Sequence, residues 1–202
     1  MTTKAEQKQH TNETILESAA RLLRERGISG ARVADVMKGA GLTVGGFYAH
    51  FASKEALIDT TLRRTAREMR ARLFARLDAK PEPDRAEVVL KRYLSAAHRD
   101  DLVGGCPFPA VVGEVATTAS EHAAVLGEQL DAFATELEAY LPASDKLSQR
   151  HLALAMLALM YGGLSLARAV RGTALSDEII RACRGFGRLL TRAEPAPPAE
   201  PS

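Results

Sequence analysis

Residues 32–57 read RVADVMKGAGLTVGGFYAHFASKEAL, and the groups gathered there suit contact with a polyanion rather than bond-making chemistry. Thr43, Val44, Gly45, Gly46, Tyr48 and His50 form a run of small and polar residues. A helix that presents small residues can approach base edges closely, while Tyr48, His50 and Lys54 can donate to flanking phosphate oxygens. Ser53 caps the helix that follows, and free amides at a helix's amino end favour an anion.

Other reactive types are sparse. No GxGxxG, P-loop, GxSxG or HExxH pattern occurs, and the histidines at 10, 50, 98, 122 and 151 are scattered. His98 with Asp100 and Asp101 could be imagined as a metal or acid–base site, but a solvated charge cluster at a helix end is the simpler account. Cys106 and Cys183 form no CxxC pair and no Cys/His cluster at metal-ligand spacing. No catalytic residue, metal or cofactor is therefore expected, and a reducing, cytoplasmic setting fits best. Cys106 sits between Gly104-Gly105 and Pro107, which places a thiol at a helix's amino end with an open approach, more reactive than Cys183 in mid-helix. The competing reading is a buried structural cysteine.

These groups need helices to hold them. Ile15, Leu16, Ala19, Leu22 and Leu23 make an apolar stripe closed by Gly27. Val33–Ala40 is a short helix stopped by Gly41, and Val44–His50 is a second. Gly41 supplies the left-handed conformation that a tight helix–helix turn demands, and Val33, Val36, Leu42 and Phe47 are spaced to pack the two helices together. That is the helix-turn-helix plan, whose second helix can lie in a DNA major groove. Ser53 opens a long helix carrying Arg63, Arg64, Arg67, Arg70, Arg72 and Arg76, which spread around it and read as a solvated face. After the break at Lys80-Pro81-Glu82-Pro83-Asp84, helices are expected over 86–99, 110–118, from Ser120 to Pro142, over 147–171 and over 176–191. No run of alternating β-branched residues appears. The fold expected is all-α: an N-terminal helix-turn-helix three-helix domain joined to a C-terminal helical effector-binding and dimerisation domain.

The chain has 202 residues, 46% hydrophobic and 26% charged, enough for one or two domains with their own cores. Residues 1–80 hold 15 Lys and Arg against 9 Asp and Glu, whereas the remainder holds 12 against 16. A basic N-terminal part and an acidic remainder suggest two jobs, the first facing a polyanion. The polar N-terminus has no signal-peptide core. The apolar run from Leu152 to Ala167 falls short of the roughly 20 residues that span a bilayer, so no membrane partner is expected. Being apolar on nearly all sides, its helix must be buried on more than one face. A dimer bundle with the last helix explains this, and Gly163 of Gly162-Gly163 is the expected point of close approach.

In combination, GFYAHFASKEAL and the preceding turn resemble the signature of TetR-family transcriptional repressors over roughly residues 11–60. The resemblance implies about nine helices, an effector pocket in the C-terminal domain and a dimer through the last two helices, about 147–191. It implies that Thr43, Val44, Gly45 and Gly46 face the groove, and that Tyr48, His50 and Lys54 touch phosphates. Ala31 stands where a hydroxyl residue commonly opens the second helix, and Arg32 is expected to compensate. Met37 replaces a usual small residue. The domains expected are 1–53 for DNA binding, 54–192 for ligand binding and dimerisation, and 193–202 as a disordered tail. A ligand-responsive repressor is the expected function, binding a palindromic double-stranded DNA operator as a homodimer and released by a small molecule or by an electrophile or oxidant. Cys106, Tyr93, Phe108, Phe133, Met160 and Tyr161 are the candidate effector or sensor residues. The alternative left open is a helical ligand-binding or thiol-reactive protein without DNA function.

Overall fold

The computed structural model describes residues 3–144 and 147–191, so the tail expected over 193–202 lies outside the described residues. Among the described residues there are nine α-helices and no strand. They are α1 (Lys4–Gly30), α2 (Val33–Gly39), α3 (Lys54–Phe74), α4 (Arg85–Tyr93), α5 (Ala96–Asp100), α6 (Phe108–Thr117), α7 (Ala123–Glu138), α8 (Gln149–Ala169) and α9 (Ala174–Leu190). The described residues fall into two compact units, those up to 73 with 97–131, and 74–96 with those from 132 to 191.

In the first unit α1 packs on α2 and α6. Its interior is filled by Ile15, Ala19 and Leu23 of α1, Val36 and Met37 of α2, Phe47, and Leu57, Ile58, Leu62 and Ala66 of α3. α1 starts well before its apolar stripe. Thr3 and Glu6 form a reciprocal capping box that satisfies two amides at its amino end. Gly27, expected to end this helix, breaks it instead: at φ +69° it leaves the helical path, and three residues resume before Ala31.

The second unit is built on α8 and α9, with α4 against both. Tyr93, Phe133, Leu137, Met156, Met160 and Leu164 are buried in it. Phe133 meets Phe74 edge-on at 5.6 Å, and Tyr140 stacks on Phe74 at 5.5 Å. α8 is long and apolar enough to cross a membrane by length and composition alone, yet Leu152, Met156, Met160, Gly163, Leu164 and Ala167 form a buried face within this unit. That face packs against α9 and α4 of the same chain.

Two expectations need correcting here. The helix read over 86–99 is two helices, because Leu94 leaves the helical region (ψ 70°) to become fully buried and Ser95 Oγ donates to the Arg92 carbonyl. Gly163 does not face outward. A Cβ there would lie 2.8 Å from Cys183 Sγ and 3.2 Å from Leu94 Cδ2, so it is where α9 of the same chain closes on α8. Gly162 is the glycine with open space around it.

Candidate nucleic-acid interface

The reading element, expected as a short helix over Val44–His50, is a 3-10 helix, Val44–Ala49. Six residues that include Gly45-Gly46 give an α-helix little stability, and the tighter i→i+3 closure suits so short a piece. The turn before it works as the glycine implied: Gly41 has φ +72°, and the Leu42 amide donates to the Met37 carbonyl at 2.9 Å. Thr43 is extended and exposed at the N-cap of the reading element. Phe47 is its inward anchor, stacked on Phe51 at 5.9 Å and edge-on to Tyr48 at 5.2 Å. That ring pair holds Tyr48 pointing outward, 77% exposed.

Val44 and Gly45 are exposed with Thr43, and nothing lies within 4 Å of a Cβ built on Gly45. Gly46 is turned inward, its Cβ position 3.9 Å from Met37 Cε. Arg32 is exposed at the N-cap of α2, where its donor-only guanidinium makes no capping bond. Lys54 is half-buried as the first residue of α3, whose start is fixed by the Ala56 amide donating to Ser53 Oγ at 3.2 Å. Thr43, Val44, Gly45 and Tyr48 are thus the exposed residues at and just after the start of the reading element. His50 differs from the expectation: it is half-buried, and its Nδ1 is hydrogen-bonded to Asn12 Oδ1 of α1, which leaves only Nε2 for another partner. No local pattern flagged Asn12, 38 positions away.

Arg63, Arg67 and Arg72 of α3 are exposed, as a solvated face implies, but four of its arginines also reach neighbours. Arg63 pairs with Glu128 at 3.1 Å, Arg64 with Glu68 at 2.7 Å, Arg70 donates to Gln129 at 3.2 Å and Arg72 to the Gly104 carbonyl at 2.6 Å. They tie α3 to α7 and to the loop before α6. Arg24 of α1 holds the same loop through the Gly105 carbonyl at 2.7 Å. Burial, reinforced by Arg72, pushes its guanidinium below the usual arginine range. His122 is almost fully buried and bonds Asp59 of α3 through Nδ1 at 2.7 Å.

The expected effector residues divide between the units. In the second, Tyr161 meets Tyr93 at 5.6 Å and Phe133 at 6.3 Å, with Met160 buried beside them in sequence. Phe108 and Cys106 belong to the first unit, and both are fully buried. The open approach expected for Cys106 is not there. The two arginines fix its loop, and its amide donates to His98 Nε2 at 2.9 Å. A cavity of about 650 Å³ in the second unit is lined by Glu82, Asp84, Tyr140, Leu141 and Thr191 among others, none of them an expected effector residue. Among the described residues no group of three or more His, Cys, Asp or Glu could hold a metal ion.

Residues 15–61 match the profile of the bacterial regulatory proteins of the tetR family. The HTH-type transcriptional repressor KstR2 of Mycobacterium tuberculosis is 47% identical over 49 residues, which cover 24% of this chain and 24% of that protein. The chain thus matches about a quarter of that relative's length. A TetR-family transcriptional regulator from Cytophaga hutchinsonii superposes with a TM-score of 0.73 at 22% identity, over 91% of this chain and 96% of that one, a likeness of fold alone. A TetR transcriptional regulator from Chloroflexus aurantiacus reaches 28% identity at a TM-score of 0.67, over 89% of this chain and 95% of its own.

Proposed function

We infer, from the premise that this chain belongs to the tetR family of bacterial regulatory proteins, that it is a transcriptional repressor. On this reading residues 1–53 bind a palindromic operator, residues 54–192 dimerise and take a small-molecule effector, and the effector favours a state that fits the operator poorly. The observation that carries the reading is the exposure of Thr43, Val44, Gly45 and Tyr48 around the buried Phe47, with Arg32 exposed at the N-cap of α2 and Lys54 opening α3. Small groups allow close approach to base edges, and cations meet phosphates.

Two copies are needed to read a palindrome, and α9 offers the surface. Leu175, Ile179, Ala182, Phe186 and Leu189 recur at spacings of four and three along a side of α9 that flanks its buried face. Phe186 is 57% and Leu189 70% exposed, and Leu166 of α8 is 61% exposed. Such a stripe favours a dimer through α8 and α9. Tyr93, Phe133, Met160 and Tyr161 are proposed as effector contacts in the second unit. The burial of Cys106 favours a non-covalent effector over direct thiol chemistry.

Selection of duplexes from a random DNA library by the full chain tests this. A two-fold symmetric consensus with half-sites about one or more helical turns apart, ~34 Å or a multiple, is the expected result. Failure to enrich any sequence, with effector-type ligands still bound, would favour the helical ligand-binding protein without DNA function.

A further inference from the structure

We propose that Glu114 is the positioning residue that sets how the chain enters the helix-turn-helix, by latching α6 onto the broken end of α1. The proposal rests on the repressor reading for its consequence at DNA, but not for the latch itself. Gly27 leaves the helix at φ +69° and ψ −167°, and Ile28–Gly30 resume it for three residues before Ala31 and the Arg32 N-cap of α2. A helix that restarts has amides with no helical acceptor behind them. Here one carboxylate takes two of them. Ile28 N–H donates to Glu114 Oε1 at 2.7 Å, and Ser29 N–H donates to Oε2 at 2.8 Å. Hydrogen bonds to an ionised acceptor are the strong kind, and two on one carboxylate also fix its orientation.

Gly27 is required twice. Its φ is one that other residues rarely adopt, and a Cβ there would sit 1.8 Å from Glu114 Oε1 and 3.1 Å from the Ala110 carbonyl oxygen. The missing side chain is the space the carboxylate occupies. α6 is held from its other end as well, since the loop leading into it is bound by Arg24 and Arg72 through the carbonyls of Gly105 and Gly104. A segment more than 80 residues downstream therefore grips the four-residue joint between α1 and α2. With the joint closed, α2 and the reading element that packs on it take one direction from α1. With it open, that direction spreads over an ensemble, and affinity falls by the fraction that fits DNA.

The test uses the full chain with Glu114→Gln and Glu114→Ala, and Thr117→Ala on the exposed side of α6 as control. Amide hydrogen exchange at Ile28 and Ser29 should quicken by about 10- to 100-fold in Glu114→Ala and less in Glu114→Gln, which keeps one acceptor oxygen. Amides at Leu22 and Leu23 should not change. Affinity for a duplex selected by the parent protein should fall about tenfold or more in Glu114→Ala with the salt slope unchanged, because no phosphate contact is lost. Thr117→Ala should behave as the parent. Unchanged exchange at Ile28 and Ser29 overturns the latch. Faster exchange with unchanged affinity, or a changed salt slope, overturns the positioning role. If the parent selects no duplex, the repressor reading falls, and exchange alone decides the latch.

Discussion

At Glu114 the pH dependence can be given a sign. Partial burial pushes its carboxyl up, but hydrogen bonds from Ser29 and Ile28, with the charge of Lys54, outweigh this and leave it below the ordinary 4.5. A carboxyl lowered in the folded state adds stability above its unfolded value and loses it as pH falls through the folded one. The difference in melting temperature between the parent and Glu114→Gln should hold near neutral pH and close as pH drops below about 4.5. A difference that stays level into acid would mean the carboxylate form is not what the latch uses. The two thiols give a second expectation at this scale. Cys106 is fully buried, while Cys183 is half-buried with its thiol pushed up by burial. Alkylation of the folded protein, followed by mass spectrometry at neutral pH, should be slow at both and reach Cys183 before Cys106. Position in the sequence placed Cys106 correctly at the start of α6, as Pro107 and Pro109 signalled. It could not show the closing of the loop by Arg24 and Arg72, which lie 81 and 32 residues from the carbonyls they hold.

Helices and turns separate what local chemistry dictates from what packing dictates. Gly41, the capped start of α3 and the long apolar α8 follow from signals within a few residues, and all three are where their sequence places them. The 3-10 form of the reading element follows from its shortness and its glycine pair, which periodicity does not weigh, whereas the break at Leu94 and the direction of Gly163 depend on neighbours elsewhere in the chain. The two kinds of glycine should respond differently. At Gly41 nothing crowds a Cβ, so Gly41→Ala meets only the left-handed backbone, a cost of about 1–2 kcal/mol. Gly41→Asn should recover part of it. At Gly163 the backbone is unstrained but Cys183 and Leu94 stand in the way, so Gly163→Ala should cost about 1–3 kcal/mol by overpacking. Urea unfolding of the three variants, with Gly162→Ala as the open-space comparison, separates strain from crowding. Equal losses at Gly162 and Gly163 would contradict the packing of α9 on α8.

For the whole molecule, the apolar stripe of α9 and the exposed residues of the reading element make separate demands. Replacing Phe186 and Leu189 by Asp removes exposed apolar surface without touching the buried side of α9, where Ser176, Ile180 and Gly187 lie. Sedimentation should then show monomer at concentrations where the parent is dimeric, with helical circular dichroism retained. An unchanged dimer would move the interface elsewhere.

Binding itself should fall steeply with salt, because each phosphate that a cation neutralises releases counterions. The excess of basic over acidic residues in positions 1–80 favours that attraction, but Arg63 and Arg64, paired with Glu128 and Glu68, contribute less to it than their number suggests. On the proposed reading Lys54, at the amino end of α3, meets a phosphate, while Thr43 stands exposed where the reading element begins. Lys54→Ala should therefore weaken selected and random duplexes alike and reduce the salt slope by about one. Thr43→Ala should weaken the selected duplex far more than random ones, by about 1–3 kcal/mol if its hydroxyl reads a base, and leave the slope unchanged. Tyr48 and His50 bracket these extremes. Tyr48 is held outward by Phe47 and is free to reach a phosphate, so Tyr48→Phe should act like a weaker Lys54→Ala. His50 already uses Nδ1 on Asn12, so His50→Ala should loosen α1 from the reading element as well as remove a donor. Titrating each variant against both duplexes at two salt concentrations sorts reading residues from positioning ones. If Thr43→Ala and Lys54→Ala lower the two affinities in the same ratio, that division is wrong.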